Sequence, residues 1–251
     1  MTKVITNLNS WFDIRNTLDG SLGFVPTMGA LHKGHESLIR KSVEENDITI
    51  VSIFVNPTQF NDKNDFRNYP KTFDDDFSMI EKCGVDYLLL PDYESLFPDN
   101  YKYRVTEKEL SLILEGEHRP GHFDGVLSVV IKLLNIVKAN KAYFGEKDFQ
   151  QYKLIDGMTK TFFINTKIVQ CETVRESDGL AYSSRNLRLT KEQRSKAPLF
   201  YSMLNSKKNI DEIILDLKLN GFEVDYIKEI DNRRYGAVFL GNVRLIDNVK
   251  I

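Results

Sequence analysis

Short β-branched and apolar runs alternate with helically spaced stretches through the first two-thirds of this chain, and that alternation limits the fold more than any other feature. Leu22 to Pro26 is a brief apolar run closed by proline. Ile48 to Val55 is β-branched and almost wholly apolar, as a strand covered on both faces of a parallel sheet must be. Val85 to Leu90, Ala142 to Phe144 and Lys167 to Cys171 read as further strands. Between them, His35 to Asn46, Asp74 to Cys83, Asp124 to Ala139 and Phe149 to Lys160 read as helices. Asp74, Asp75 and Asp76 suit a helix N-terminus and Gly84 suits its end. Ser128, Lys132 and Asn135 mark a narrow wet stripe on the otherwise apolar Asp124–Ala139 cylinder. Asn61 to Thr72 reads as a polar loop. The pattern predicts a doubly wound parallel α/β sheet.

The texture changes after Ser183-Ser184-Arg185-Asn186. Thr190 to Asn205 and Ile210 to Lys218 look helical, while Glu223 to Ile230, Ala237 to Leu240 and Val243 to Ile246 alternate as strands. We expect a small α+β C-terminal lobe, with one domain over 1–175 and a second, lid-like one over 176–251.

Composition narrows the partners. The chain has 251 residues with 34 Lys and Arg against 36 Asp and Glu, a net charge of -2 that argues against nucleic acid as the main partner. Cys83 and Cys171 lie far apart, which points away from a disulfide framework and a cysteine zinc site and towards the reducing cytoplasm. The richest apolar run, Val126 to Val137, contains Lys132 and is shorter than the roughly 18–20 residues of a membrane span. Met1 to Phe12 lacks the apolar core of a signal peptide. A soluble protein with no membrane partner is expected. The four histidines form two pairs, His32/His35 and His118/His122, and such scarce, clustered titratable groups point to a site.

Four polar segments fall where strands hand over to helices, the position at which open α/β sheets bind ligands. Pro26-Thr27-Met28-Gly29-Ala30-Leu31-His32-Lys33-Gly34-His35 follows the first of these strands; its glycines allow close backbone approach and its histidines can donate to phosphoryl oxygen. A bare HxGH would more often merely cap a helix, but its place after a strand and the preceding Pro-Thr-Met-Gly favour phosphate. Asn56 and Gln59 end the next strand and can recognise hydroxyls or a carboxylate, although Asn-Pro alone is only a turn. Gly145-Glu146-Lys147-Asp148 precedes a helix carrying Gln151; Lys147 offers a charge for phosphate and Asp148 an acceptor for ribose. Tyr182-Ser183-Ser184-Arg185 combines hydroxyls with a guanidinium, as a phosphate clamp would.

Taken together, PTMGALHKGH, SIFVNPTQF, RPGHFDGV, FGEKDFQQ, VRESDGLAYSSRN and RLIDN resemble one family, the pantothenate synthetases or pantoate–β-alanine ligases, over nearly the whole chain. HxGH alone would indicate only the wider nucleotidyltransferase superfamily, with its Rossmann-like fold. The resemblance implies ATP-dependent activation of (R)-pantoate to pantoyl adenylate, then attack by β-alanine to give pantothenate and AMP. It assigns ATP to Met28, Gly29, Ala30, Leu31, His32, Lys33, Gly34 and His35, to Gly145, Glu146, Lys147 and Asp148, and to Val174, Tyr182, Ser183, Ser184 and Arg185. His35, His32, Lys147 and Arg185 would carry the catalysis, with His35 as a proton donor or an equally effective hydrogen-bond donor. Gln59 and Gln151 would bind pantoate. Mg²⁺ would accompany ATP, with Asp75 and Asp76 within reach of it or serving only as helix-N-terminal charges. His122 would shape the loop over the pantoate pocket, His118 reads as a surface histidine, and a homodimer is expected. Against the usual family pattern the stretch between Asn186 and Glu223 looks contracted.

Two other readings share these features. An adenylyltransferase acting on a phosphorylated precursor would want a more basic acceptor pocket than Asn56, Gln59 and Gln151 provide. A nucleotide-binding regulatory module would bind ATP without turnover.

Overall fold

In the computed structural model, which describes residues 1–61 and 63–251, the N-terminal part alternates strands and helices as the pattern requires. The order is β1 (Lys3–Ile5), α1 (Leu8–Arg15), β2 (Leu22–Thr27), α2 (Lys33–Glu45), β3 (Ile48–Ile53), α3 (Lys63–Arg67), α4 (Phe73–Lys82), β4 (Tyr87–Leu89), α5 (Tyr93–Leu96), α6 (Glu115–His118), α7 (His122–Val137), β5 (Lys141–Gly145), α8 (Phe149–Thr161) and β6 (Lys167–Cys171). The six strands form one sheet in the order β1-β4-β3-β2-β5-β6, every pairing parallel. The chain runs outwards from β2 on one side and returns to β2's other edge with β5, so the topological switch lies between β2 and β5. The polar loop expected over Asn61 to Thr72 contains the short α3, and residue 62 lies outside the described residues.

Both faces of the sheet are covered. Phe24, Ile50 and Ala142 pack with the apolar flank of α7, while Val25, Val51 and Tyr143 pack with Leu38 and Ile39 of α2 and Ile80 of α4. Helix α7 is drier than its sequence implies. Ser128 is buried and its hydroxyl accepts the Val105 amide at 2.9 Å, so it belongs to the core side rather than to a wet stripe. The C-terminal carbonyls of α7 are satisfied from α1: Trp11 Nε1 donates to Ile136 O at 2.9 Å and Arg15 to the carbonyls of Val137 and Lys138.

The C-terminal part holds α9 (Lys191–Lys196), α10 (Pro198–Leu204), α11 (Ile210–Leu219) and an antiparallel sheet of β7 (Glu223–Ile230), β8 (Arg233–Leu240) and β9 (Val243–Lys250). The single helix expected over Thr190 to Asn205 is two, divided at Ala197-Pro198, where proline removes an amide. Phe200, Leu204, Ile213, Leu217 and Val238 make its separate core.

The two parts are joined by charge. Arg244 on β9 donates to both Glu115 oxygens at 2.7 and 2.9 Å and to Asp225 Oδ2, and Tyr226 adds its hydroxyl to Glu115 at 2.8 Å. His118 is at the surface, as expected, yet its ring is engaged: Nδ1 lies 2.5 Å from Asp225 Oδ1 and the imidazole rests on Tyr226. Burial alone would raise the Glu115 pKa, but the hydrogen bonds and charge of Arg244, with Arg119 and Tyr226, outweigh it and hold the carboxyl at about 2. Glu115→Gln should therefore lower stability by about 3–5 kcal/mol at pH 7, since it leaves buried cations undercompensated. The folded pKa lies below the unfolded 4.5, so the wild-type advantage in urea unfolding should hold above pH 4.5 and shrink as pH falls towards 2. An advantage undiminished at pH 2.5 contradicts the assignment.

Candidate active site

The first loop of the site leaves β2 at Thr27 and enters α2. Gly29 and Ala30 adopt left-handed backbone (φ 78° and 49°), and this turn aims two successive amides at one carboxylate. Ala30 N donates to Asp76 Oδ2 at 2.9 Å and Leu31 N to Asp76 Oδ1 at 2.7 Å, while Thr72 Oγ1 supports the same carboxylate at 3.1 Å. A Cβ on Gly29 would stand 3.0 Å from Asp76 Oδ2, so glycine is what lets the loop sit on α4.

His32 caps α2. Its Nδ1 accepts the Gly34 amide at 3.2 Å, and His35 Nδ1 accepts the His32 amide at 3.4 Å. A ring nitrogen that accepts from a backbone N–H carries no proton, so in both rings the proton sits on Nε2. The rings lie 4.1 Å apart, with Tyr182 stacked 6.2 Å from His32. Burial, reinforced by His35 and Lys147, lowers the His32 pKa to about 2. Burial also lowers His35 to about 4, where the pull of Asp148 opposes it and Lys147 adds to it. The pair is neutral at physiological pH and offers two N–H donors.

The second strand end supplies an amide platform. Asn56 is buried; its Nδ2 donates to Gly125 O at 3.1 Å and to Gln59 Oε1 at 3.2 Å, and its Oδ1 accepts from Thr58. A Cβ on Gly125 would lie 2.4 Å from Thr58 O, which explains glycine in the FDGV segment: α7 packs directly on this turn. Gln59 Nε2 donates to Met28 Sδ, tying the platform to the first loop. Its carbonyl accepts from His122 Nδ1 at 2.8 Å and from Arg119 Nη2 at 3.3 Å.

The third loop, Gly145 to Asp148, follows β5. Lys147 Nζ is 3.7 Å from Asp148 Oδ2, and Asn248 Nδ2 on β9 donates to the carbonyls of Glu146 and Lys147 at 3.0 and 2.8 Å. The Glu146 side chain pairs with Arg233 of β8 at 2.6 Å and is not among the residues that line the cavity. Gln151 borders the cavity one turn along α8, and among the described residues its amide has no protein hydrogen-bond partner. In the fourth segment Ser184 Oγ lies 3.4 Å from Tyr69 OH, and Arg185 donates to Asp65 at 2.8 Å.

These pieces enclose a cavity of about 230 Å³ walled by Met28, His32, His35, Lys147, Val174 and Tyr182, among others. A second cavity of about 370 Å³ between the two lobes shares Met28, Gln59, Lys147, Asp148, Gln151, Ser183 and Arg185 with it. A compact polyanion can be met here by neutral imidazoles, one lysine and one arginine, with amides beside them.

The chain matches the family model described as pantoate-beta-alanine ligase over residues 1–250. It is 54% identical over 251 residues to the pantothenate synthetase of Bdellovibrio bacteriovorus, covering 100% of both chains, and 51% identical to that of Coxiella burnetii over 99% of this chain and 97% of the other. Among solved structures it is similar to the pantoate-beta-alanine ligase of Francisella tularensis in complex with "beta-gamma ATP" and β-alanine (45% identity, TM-score 0.96, 100% and 98% covered). It is also similar to the pantothenate synthetase of Thermus thermophilus (34% identity, TM-score 0.90, 99% of each chain covered). This chain belongs to the pantoate–β-alanine ligase family. Its activity is the ATP-dependent condensation of pantoate with β-alanine.

The match to these ligases runs through the C-terminal lobe as well as the parallel sheet. Of the residues expected at the ligase site, Met28, His32, Gly34, His35, Gln59, Gly145, Lys147, Asp148, Gln151, Val174, Tyr182, Ser183, Ser184 and Arg185 border the first cavity. Gly29, Ala30 and Leu31 lie behind it in the loop, and Lys33 is exposed. Asp75 is exposed, while Asp76 is buried and holds two amides, an arrangement that suits an anchor for the loop better than a metal ligand. Among the described residues no cluster of three or more His, Cys, Asp or Glu could cage a cation. Sequence reasoning missed Asp65, which engages both Arg185 and Arg188, and the role of Arg119; the only signal for Arg119 was its place in the RPGHFDGV string.

Asp76→Asn presents one acceptor and one donor to two amides, and should raise the ATP KM about tenfold or more, the scale of losing a hydrogen bond to a charged group; an unchanged KM argues against the anchor. Histidine Cε1–H titrations of the nucleotide-free enzyme should keep His32 and His35 neutral at pH 5, and a midpoint near 6.5 for either contradicts the assignment.

Proposed function

We propose that the enzyme works through a pantoyl adenylate, with the nucleotide along the HxGH loop and (R)-pantoate against Gln59 and Gln151. The observation that carries this reading is the pair of neutral imidazoles, each with Nδ1 taken up by a backbone amide and the proton on Nε2, that border the same cavity as Lys147 and Gln151. A pantoate carboxylate oxygen attacks the α-phosphorus of ATP, the bond to the bridging oxygen breaks, and pyrophosphate leaves. Positioning and charge stabilisation dominate such a step. His32 and His35 would donate to phosphoryl oxygens, and a neutral His35 stabilises developing charge by hydrogen bonding without having to surrender its proton. Lys147 would meet phosphate and Asp148 ribose, Val174 would contact adenine, and Tyr182 to Arg185 would close on the outer phosphates as Arg185 exchanges Asp65 for them. In the second step the β-alanine amine attacks the acyl carbon, loses a proton, and AMP leaves.

Mg²⁺ would supply charge neutralisation to ATP, held by phosphate oxygens and water; the Asp76 carboxylate is committed to two amides, and among the described residues no cluster of His, Cys, Asp and Glu could cage the ion. We further propose a homodimer in the cytoplasm, a compartment in keeping with two buried, unpaired cysteines, and a division into domains at 1–175 and 176–251.

Pyrophosphate release should require ATP and pantoate, and AMP release should require β-alanine as well. Pantoate-independent turnover would sink the adenylate scheme. His35→Ala and Lys147→Ala should each slow pantoate-dependent ATP–pyrophosphate exchange by about a hundredfold or more, and unchanged exchange in both refutes their roles.

A further inference from the structure

β-Alanine carries a carboxylate three bonds from its nucleophilic amine, roughly 4 Å away by standard bond lengths. An amine poised on an acyl group beside Gln59 therefore needs a cation close to Gln59. Several arginines border the inter-lobe cavity, but most are already neutralised. Arg185 and Arg188 share Asp65 at 2.8 and 2.7 Å, and Arg244 is bound by Glu115 and Asp225. Lys147 sits beside Asp148 and serves phosphate in the adenylate scheme.

Arg119 differs. Its nearest carboxylate oxygen, Glu115 Oε2, is 3.5 Å away and belongs to a group already held twice by Arg244 and once by Tyr226. Its hydrogen bonds run to neutral acceptors: Nη2 to the carbonyl of Gln59 and Nη1 to His122 Nε2 at 3.2 Å. A guanidinium has five N–H donors, so most remain for a ligand. Its side chain is only 19% exposed, and it borders the inter-lobe cavity. His122 explains the posture. Its Nδ1 donates to Gln59 O, which leaves Nε2 as the acceptor for Arg119, and burial followed by the Arg119 charge holds the ring neutral, with a pKa of about 3.

We propose that Arg119 receives the carboxylate of β-alanine, bidentately, and so makes the second half-reaction select an amino acid over a simple amine. The inference rests on the adenylate scheme. Binding would replace the long contact to Glu115 with a full ion pair, while the bonds to Gln59 and His122 hold the guanidinium in register with the acyl group.

The test uses Arg119→Gln and Arg119→Lys in the full-length enzyme, read by three assays: pantoate-dependent ATP–pyrophosphate exchange, condensation with β-alanine, and hydroxamate formation with hydroxylamine, a nucleophile that has no carboxylate. Arg119→Gln should raise the β-alanine KM about a hundredfold, as expected for removing one partner of a desolvated charge pair, with exchange and hydroxamate formation within about threefold of wild type. Arg119→Lys, which keeps the charge but loses the fork, should fall between the two. A β-alanine KM unchanged in either variant overturns the proposal. So does a parallel loss of exchange and hydroxamate formation in Arg119→Lys, which would make the residue a support for the fold or for adenylation. Absence of pantoate-dependent exchange in the wild type would instead overturn the adenylate scheme itself.

Discussion

Everything in the site hangs from the divergence of β2 and β5. These strands pair only at Gly23 with Lys141 and Phe24 with Ala142, whereas β2 stays paired with β3 as far as Thr27 with Ile53. Pro26 falls where the β5 ladder has stopped, and a proline supplies no amide to prolong it. The strands part there, and the loops that leave them, Met28 to His35 and Gly145 to Asp148, become opposite walls of one cleft. A sheet that remained zipped to its end would have no room for a nucleotide. The cleft thus follows from a missing hydrogen bond and a change of winding direction, and the chemical groups are placed around it afterwards.

Electrostatically, the cleft is arranged to receive charge without accumulating it. The imidazoles are kept neutral by burial, the arginines are matched to carboxylates, and Lys147 has Asp148 beside it. A net charge of -2 over the whole chain is the global counterpart of this local pairing. In the adenylate scheme proposed above, substrates with carboxylates and phosphates would bind by exchanging partners, Arg185 giving up Asp65, rather than by being drawn to an exposed basic surface. That distinction separates this site from the basic acceptor pocket expected of an adenylyltransferase acting on a phosphorylated precursor: arginines are gathered between the lobes, but acids accompany most of them.

The strand-and-helix alternation was legible because the strands of a parallel sheet buried on both faces are continuous apolar runs, and the loops that wall the cleft were legible because they sit at the ends of those runs. What escaped reading was every feature set by a distant partner. Ser128 looked wet because a hydroxyl in a helical pattern is ordinarily solvated, and only the fold brings Val105 to it. Strand β8 begins at Arg233, four residues before the apolar pattern indicates, because Arg233 and Arg234 are buried: one pairs with Glu146, the other donates to the carbonyls of Leu204, Ser206 and Lys208. Asp76 read as one of three helix-N-terminal charges. Its neighbours Asp74 and Asp75 are exposed, and nothing local distinguishes the one that meets the Ala30 and Leu31 amides.

The same long-range contacts constrain how the C-terminal lobe can act. A lobe that swings as a rigid cover would have to release Asn248 from the carbonyls of Glu146 and Lys147, Arg233 from Glu146 and from the Phe149 ring 3.9 Å away, and Arg244 from Glu115. Several of these groups are buried, and stranding a buried charge by breaking one such pair costs about 3–5 kcal/mol. The sheet of this lobe is therefore better regarded as a brace for the lysine loop than as a moving part. The segment from Tyr182 to Arg188 is held differently: two arginines grip the single carboxylate of Asp65, and Ser184 meets Tyr69 at the long distance of 3.4 Å. Phosphate can compete for those arginines at little net cost, since one ion pair replaces another. In the proposed scheme, closure over the nucleotide would require only this short segment to re-pair, while Lys147 and Gln151 would stay in place for in-line attack.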